Sequence, residues 1–265
     1  MVFPMPTWDA KQYLTFNDQR TRPCRELAER VELDRPGSII DLGCGPGNST
    51  AVLAQRWPDS SISGLDSSPE MIAAARKSDP ARPFRVADIS DWANGDGEIH
   101  DLVFSNAAIQ WVNDHAAVLP RLMKHVAPGG AFAMQVPCND DAPAHVIMRE
   151  MAESPGWHSR FASGWHEWHI HEPFFYYDVL APHAATLDVW VTEYIHIMEN
   201  SEAIVQWYKG TALRAFLDVL PTAEEKQAFE AEYTQHIRQA YPVRADGRMV
   251  FPFRRLFVIA YRMNL

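Results

Sequence analysis

Cysteine is scarce in this chain, with three in 265 residues. Cys24, Cys44 and Cys138 are odd in number, far apart and without the short paired spacing of a zinc site or a thioredoxin-like motif, so they are expected to be reduced thiols. Positive charge is also short, 24 Lys and Arg against 34 Asp and Glu, a formal net charge of -10. That balance opposes a phosphate backbone or an anionic membrane surface, and a nucleic-acid partner is disfavoured. No apolar run approaches the roughly 18 residues of a membrane-spanning helix. The stretch Met1 to Tyr13 has no basic region followed by an apolar one and is broken by Pro4, Pro6, Asp9 and Lys11. No signal peptide is therefore read, and a cytoplasmic location is expected. Internal repeats are lacking too, which argues against a solenoid. What remains is an ordinary globular composition, 47% hydrophobic and 22% charged, at a length that favours one core with an insertion. Nine tryptophans suggest an aromatic-lined cavity.

Along the chain, residues 21–33 place Cys24, Leu27, Ala28 and Val31 at helical spacing, with Pro23 suited to a first helical position. SIIDL then runs into a glycine-rich turn and resumes as a helix, and SISGLD leads to a helix opened by Pro69 and Glu70 and capped by Ser67 or Ser68. PFRVADI, HDLVFSN and, after the turn APGG, AFAMQVP complete five strands alternating with helices by residue 137. The expected fold is α/β, a doubly wound, mostly parallel sheet over a cofactor-binding core at 30–137. Residues 139–180, rich in His, Trp, Phe and Tyr, read as a cap or lid. TLDVWVTEYIHIM and FVIAYRM read as two further strands, making seven, and the helical stretches between them, within 201–250, as an inserted helical cap.

The most informative run is Asp41-Leu42-Gly43-Cys44-Gly45-Pro46-Gly47-Asn48, set between the first strand and the first core helix. Gly43, Gly45 and Gly47 let the backbone turn and approach a ligand, and the helix behind offers N–H groups to an anionic end. A dinucleotide enzyme would want its third glycine one place later, where Asn48 stands, so the spacing favours a donor ending in an amino-acid carboxylate, S-adenosylmethionine. Asp66, ending the second strand, suits ribose hydroxyls, with Ser67 beside it. Asp88 after the third strand suits an adenine amino group, with Ile89 packed at the ring. Either acid could instead serve as a turn or helix-cap residue. Asn106, Gln110 and Trp111, at and just past the fourth strand, complete the expected cofactor set.

DLGCGPGNST, GLDSSPEMIAAAR, VADI, FSNAAIQWVNDH and APGG together resemble the class I S-adenosylmethionine-dependent methyltransferases. The likeness covers most of the chain: NSTAVLAQRWP, HVIMREMA, GTALRAFL and FRRLFVIAYR resemble a branch of that family that esterifies small acids. The resemblance implies methyl transfer to a carboxylate of trans-aconitate or a close polycarboxylate, giving a monomethyl ester. The chain departs from the family most in PGWHSRFASGWHEWHIHEP.

A carboxylic acid of reference pKa near ~4 is ionised at neutral pH, so transfer to its oxygen needs no general base and no catalytic residue of that kind is expected. It does need cations in an acidic protein. Arg20, Arg22, Arg149, Arg214 and Arg255 are the candidates, with Tyr13, Tyr176 and Tyr177 as neutral donors, and Arg214 and Arg255 are favoured because they lie in the family's segments. His166, His169 and His171 could converge on zinc, but no acidic or cysteine partner has a familiar spacing, and no metal is expected. Two alternatives stay open: a methyltransferase of another small molecule, such as a quinone precursor or carrier-bound acid, and a nicotinamide-dependent oxidoreductase.

Overall fold

β1 (Ser38–Leu42), β2 (Ser61–Asp66), β3 (Phe84–Val86), β4 (His100–Asn106) and β5 (Val126–Pro137) are the five strands that the alternating pattern predicts. A computed structural model of the chain describes residues 17–95, 97–165 and 168–264, with side chains from Thr21 onward. Tyr13, His166 and the side chain of Arg20 lie outside the described residues. β1 is buried from Ile39 to Leu42, as a strand covered on both faces must be. It pairs in parallel with β2, from Ser38↔Ser61 to Leu42↔Leu65, and with β4, from Ile39↔Leu102 to Asp41↔Phe104. β4 and β5 are parallel too. The APGG turn falls inside β5, where the register jumps from His100↔Val126 to Leu102↔Ala131, so residues 127–130 bulge out of the ladder.

Two strands late in the chain, β6 (Ala184–Met198) and β7 (Met249–Arg262), finish a seven-stranded sheet of order β3-β2-β1-β4-β5-β7-β6. β7 runs antiparallel to β5, from Ala131↔Tyr261 to Pro137↔Arg255. The order reverses direction between β1 and β4. In doubly wound sheets that reversal opens a crevice at the C-terminal ends of the strands.

The helices start where local chemistry lets them. α1 (Asn17–Arg30) buries Cys24, Leu27, Ala28 and, just past its end, Val31. It begins earlier than expected: Pro23 stands inside the helix and not at its first turn. The apolar stripe outweighs one missing backbone bond, since fully burying a leucine or valine contributes about 1.5–3 kcal/mol. α2 (Asn48–Arg56) starts at Gly47 in the left-handed conformation. α3 (Pro69–Ser78) is capped by Ser68, whose hydroxyl accepts from the Met71 N–H, with Pro69 in the first turn. α4 (Ile89–Asn94) is capped by Asp88, and α5 (His115–Lys124) by Asp114.

Contacts divide the chain into two units. The sheet unit holds residues 17–137, 168–192 and 255–264; the smaller unit holds 138–165 and 193–254. Residues 168–180, expected in the cap, group with the sheet. They include α7 (Pro173–Leu180). The smaller unit is helical, with α6 (Pro143–Glu153), α8 (Ser201–Lys209), α9 (Ala212–Leu217) and α10 (Ala223–Ala240). Its core is aromatic. Trp157 meets Phe229 edge-on at 5.0 Å, Trp165 stacks on Phe216 at 4.9 Å, and Trp207 packs against Phe253 at 5.2 Å. These tryptophans therefore serve packing.

Candidate active site

The glycine loop is shaped by what surrounds each residue. Gly43 sits at φ +70°, and a Cβ there would lie 2.1 Å from the Cβ of Ala108, so β1's loop and the segment after β4 touch through a position only glycine can fill. Its N–H and that of Cys44 donate to the Leu65 carbonyl at 2.8 and 2.9 Å, tying the loop to β2. Gly45, at φ +53°, is the opposite case: a Cβ there would meet nothing within 4 Å. The loop is thus locked on its sheet side and open on the other.

Two carboxylates frame it. Asp66 accepts from the Gly45 N–H at 2.9 Å and the Ser68 N–H at 2.8 Å, one on each oxygen. Each oxygen keeps acceptor capacity for a hydroxyl, because a carboxylate offers about four lone-pair sites. Burial pushes its pKa up against the pull of those two N–H groups. Asp41 is fully buried, and its Oδ2 accepts from the hydroxyls of Ser49 and Thr50, both at 2.6 Å. Burial raises its pKa to about 6, opposed by the two hydroxyls and reinforced by Asp66. Asp41 therefore braces the start of α2 from beneath the loop.

The other expected cofactor residues line the strand ends in different ways. Asp88 is exposed and its Oδ1 accepts from the Ser90 and Asp91 N–H groups, so it is a helix cap with Oδ2 left for a ligand, and Ile89 beside it is buried. Ser67 is exposed next to Asp66. Gln110 is buried in the short 3-10 turn Ile109–Trp111, and its amide donates to the Ala107 carbonyl at 2.7 Å. Trp111 is half-buried and meets Trp168 edge-on at 6.4 Å. Asn106 accepts from Gln135 Nε2 at 2.9 Å.

That last bond opens a row the sequence does not disclose. Gln135 Oε1 in turn accepts from Arg255 Nη1 at 3.2 Å, so amide, amide and guanidinium line up across β4, β5 and β7. Arg255 is 4% exposed. Asn106 and Arg255 are candidates in the sequence on separate grounds, and Gln135, a glutamine in an apolar strand, is the member that joins them. The hydroxyls of Ser49 and Thr50 that meet Asp41 carry no signal in the sequence either.

The remaining acceptor candidates fall elsewhere. Arg149, on α6, donates to the Asp140 carbonyl, and Arg214, on α9, pairs with Asp218 at 3.4 Å; both belong to the smaller unit. Arg22 is exposed and pairs with Glu26 at 2.7 Å. Tyr177 is exposed, whereas Tyr176 is fully buried with its hydroxyl 3.1 Å from His115. Among the described residues no group of His, Cys, Asp or Glu could hold a metal ion.

A cradle open over Gly45, the N–H groups starting α2, Asp66 at the end of β2 and Asp88 just past β3 fit an adenosyl amino acid. Residues 16–215 match the methyltransferase domain family. Over 259 residues the chain is 47% identical to the trans-aconitate 2-methyltransferase of Azoarcus sp. (strain BH72), covering 97% of this chain and 100% of that one. It is 46% identical over 263 residues to the enzyme of the same name from Methylobacterium radiotolerans, covering 98% and 100%. Among solved structures, the fold is shared with geranyl diphosphate C-methyltransferase from Streptomyces coelicolor A3(2), whose crystals hold S-adenosyl-L-homocysteine. The TM-score is 0.52 at 14% identity, over 96% of this chain and 83% of that one. The family match removes the nicotinamide-dependent alternative, and the chain belongs to the S-adenosylmethionine-dependent methyltransferases, in the trans-aconitate 2-methyltransferase family.

Proposed function

We propose that this chain moves a methyl group from S-adenosylmethionine to a carboxylate of trans-aconitate, giving a monomethyl ester. The observation that carries the acceptor is the likeness, over nearly the full length of both chains, to relatives bearing that name. Bound S-adenosylmethionine supplies a methyl carbon on a positively charged sulfur. Gly45 and the first N–H groups of α2 would receive its amino-acid carboxylate, Asp66 its ribose hydroxyls, and Asp88 Oδ2 its adenine amino group.

The acceptor oxygen is already ionised, so no side chain has to take a proton. What the protein contributes is placement and exclusion of water, which in well-oriented cases supply up to about 7–11 kcal/mol. Arg255 is the cation in the sheet unit that suits the acceptor: it is buried, held by Gln135, and opposite Pro137 at the C-terminal end of β5. Arg149 and Arg214 are the candidates in the smaller unit.

Methyl-labelled donor, incubated with the protein and with trans-aconitate, cis-aconitate, citrate or isocitrate in turn, tests this. A base-labile monomethyl ester formed selectively from trans-aconitate, identified by mass spectrometry, is the expected result. Donor binding by calorimetry without esterification of any of the four would overturn the acceptor and leave the methyltransferase assignment standing.

A further inference from the structure

The first residue of α5, His115, is fully buried, and no part of the reaction described above uses it. Its Nε2 lies 2.9 Å from the Ile109 carbonyl, which can only accept, so Nε2 carries the proton. Nδ1 is then the acceptor, and the Tyr176 hydroxyl, 3.1 Å away, donates to it. The same hydroxyl accepts from the His171 N–H at 3.3 Å. Two residues earlier in the chain, the His169 N–H donates to the Gln110 carbonyl at 2.7 Å, and Trp168 packs edge-on against Trp111. The ring of His171 stacks on Phe175 at 3.8 Å and meets His115 edge-on at 5.5 Å. Residues 168–177 are thus fastened to the turn Ile109–Trp111 directly at two places and through His115 at two more, His115 itself being bonded to the Ile109 carbonyl. This seam lies wholly within the sheet unit.

We infer that His115 is a positioning residue: as the neutral Nε2–H tautomer it latches residues 168–177 onto the turn carrying Gln110 and Trp111, and so holds that turn in place for the methyl donor. The inference rests on the reading of Gln110 and Trp111 as donor-side residues. Protonating His115 puts a hydrogen on Nδ1, so the bond must reverse: the hydroxyl, already accepting from the His171 N–H, has to accept from Nδ1 as well and loses the acceptor for its own proton. The groups facing the imidazole are the Ile109 carbonyl, a backbone group of Val112, Tyr176, and the rings of His169 and His171, with Asp114 capping the same helix from an exposed position. Burial and the two neighbouring histidines hold its pKa below the ordinary value. The latch is therefore intact above the ordinary histidine value of about 6.5 and weakens as pH falls from there through the lowered one.

Hydrogen exchange of residues 168–177, corrected for intrinsic rates and read at about pH 8 and about pH 5.5, either side of the ordinary histidine value, tests the latch without the donor. Protection should fall at the lower pH. Tyr176→Phe keeps the buried ring and removes the hydroxyl. Losing both its bond to His115 and the one it accepts from the His171 N–H should speed exchange in 168–177 about 10- to 100-fold and move the midpoint of the loss to higher pH. His115→Gln, whose amide can donate to Ile109 and accept from Tyr176 but does not titrate, should stay protected at both pH values. Nitrogen NMR of the imidazole should show the proton on Nε2. An Nδ1–H tautomer, or pH-independent exchange in the parent, overturns the latch. Calorimetry with S-adenosylmethionine completes the test: Tyr176→Phe should bind the donor several-fold more weakly with the loop at 43–47 still protected. Unchanged donor affinity with a released segment overturns the positioning role and places Gln110 and Trp111 outside the donor site.

Discussion

Replacing Gly43 with alanine should unfold this protein far more readily than the same change at Gly45, two residues away. At Gly43 the new methyl would sit 2.1 Å from Ala108 Cβ, with Ala108 Cα at 3.6 Å and Ile89 Cδ1 at 3.7 Å. The obstructing atom is bonded directly to backbone, so no rotamer relieves it, and the loop and the segment after β4 must part by about 1.3–1.9 Å to reach ordinary contact. Overpacking of this kind costs about 1–3 kcal/mol. The left-handed backbone adds about 1–2 kcal/mol for any residue with a Cβ. The sum, about 2–5 kcal/mol, corresponds to a melting point lower by about 4–20 °C for a chain of this size. Gly45→Ala carries only the backbone part, but its methyl stands in the open face of the loop, so it should melt only slightly lower while losing donor affinity. Thermal unfolding and donor calorimetry on the two variants give the comparison. A Gly43→Ala protein melting within about 2 °C of the parent would show that this contact is relaxed at no cost, and the close approach would not be the reason for the glycine.

Asp41 gives a pH signature. Its pKa is raised to about 6 in the folded chain, so this group favours the fold below the ordinary carboxylate range and works against it as pH rises through 6. Asp41→Asn should remove a penalty of about 3 kcal/mol at neutral pH and flatten the melting profile between roughly pH 4 and 6.5; a variant less stable than the parent at pH 8 would contradict this. Asp66→Asn leaves one oxygen for the Gly45 and Ser68 N–H groups, and donor binding should weaken about tenfold, as loss of one charge-assisted bond implies; calorimetry reads it. Arg255→Gln should raise KM for trans-aconitate about 10- to 100-fold with donor affinity unchanged, Arg255→Lys recovering part of it. Equal loss of donor affinity would make Arg255 a general support of the strand ends.

The parallel half of the fold was legible because each strand run stops at a turn whose chemistry is local: Gly43 to Gly47 after β1, Ser68 and Pro69 after β2, Asp88 after β3. Asp41, Asp66 and Asp88 could be placed at strand ends for the same reason, although the sequence could not say that Asp88 would cap α4 while Asp41 would be sealed under the loop. Pro23 misled, because the polar residues Asn17–Arg22 extend the helix ahead of it, and one missing backbone bond does not stop a helix anchored by the apolar stripe that follows. The bonds of the Arg255–Gln135–Asn106 row and of the His115–Tyr176 pair were invisible, since bonded neighbours are up to 120 residues apart and only the pairing of β5 with β7, or the return of residues 168–177 to the sheet, brings them together. The arginines of the smaller unit could be named as cations but not given partners: Asp218 beside Arg214 lies on the same helix face, whereas the Asp140 carbonyl that Arg149 meets carries no sequence signal.

The reversal of strand order between β1 and β4 also bears on how the molecule assembles. β1, the glycine loop and β2 can meet as soon as residues 38–66 have been made, but the wall at Ala107 and Ala108 arrives only when β4 slots in beside β1, a pairing that closes a loop of more than sixty residues. Until then the loop has one side. A donor that needs both sides binds only chains in which β4 has docked, and by mass action it draws partly folded chains toward that state, by about 2.7 kcal/mol at a hundred times its Kd. Cofactor supply would thus set the yield of folded enzyme as well as its rate.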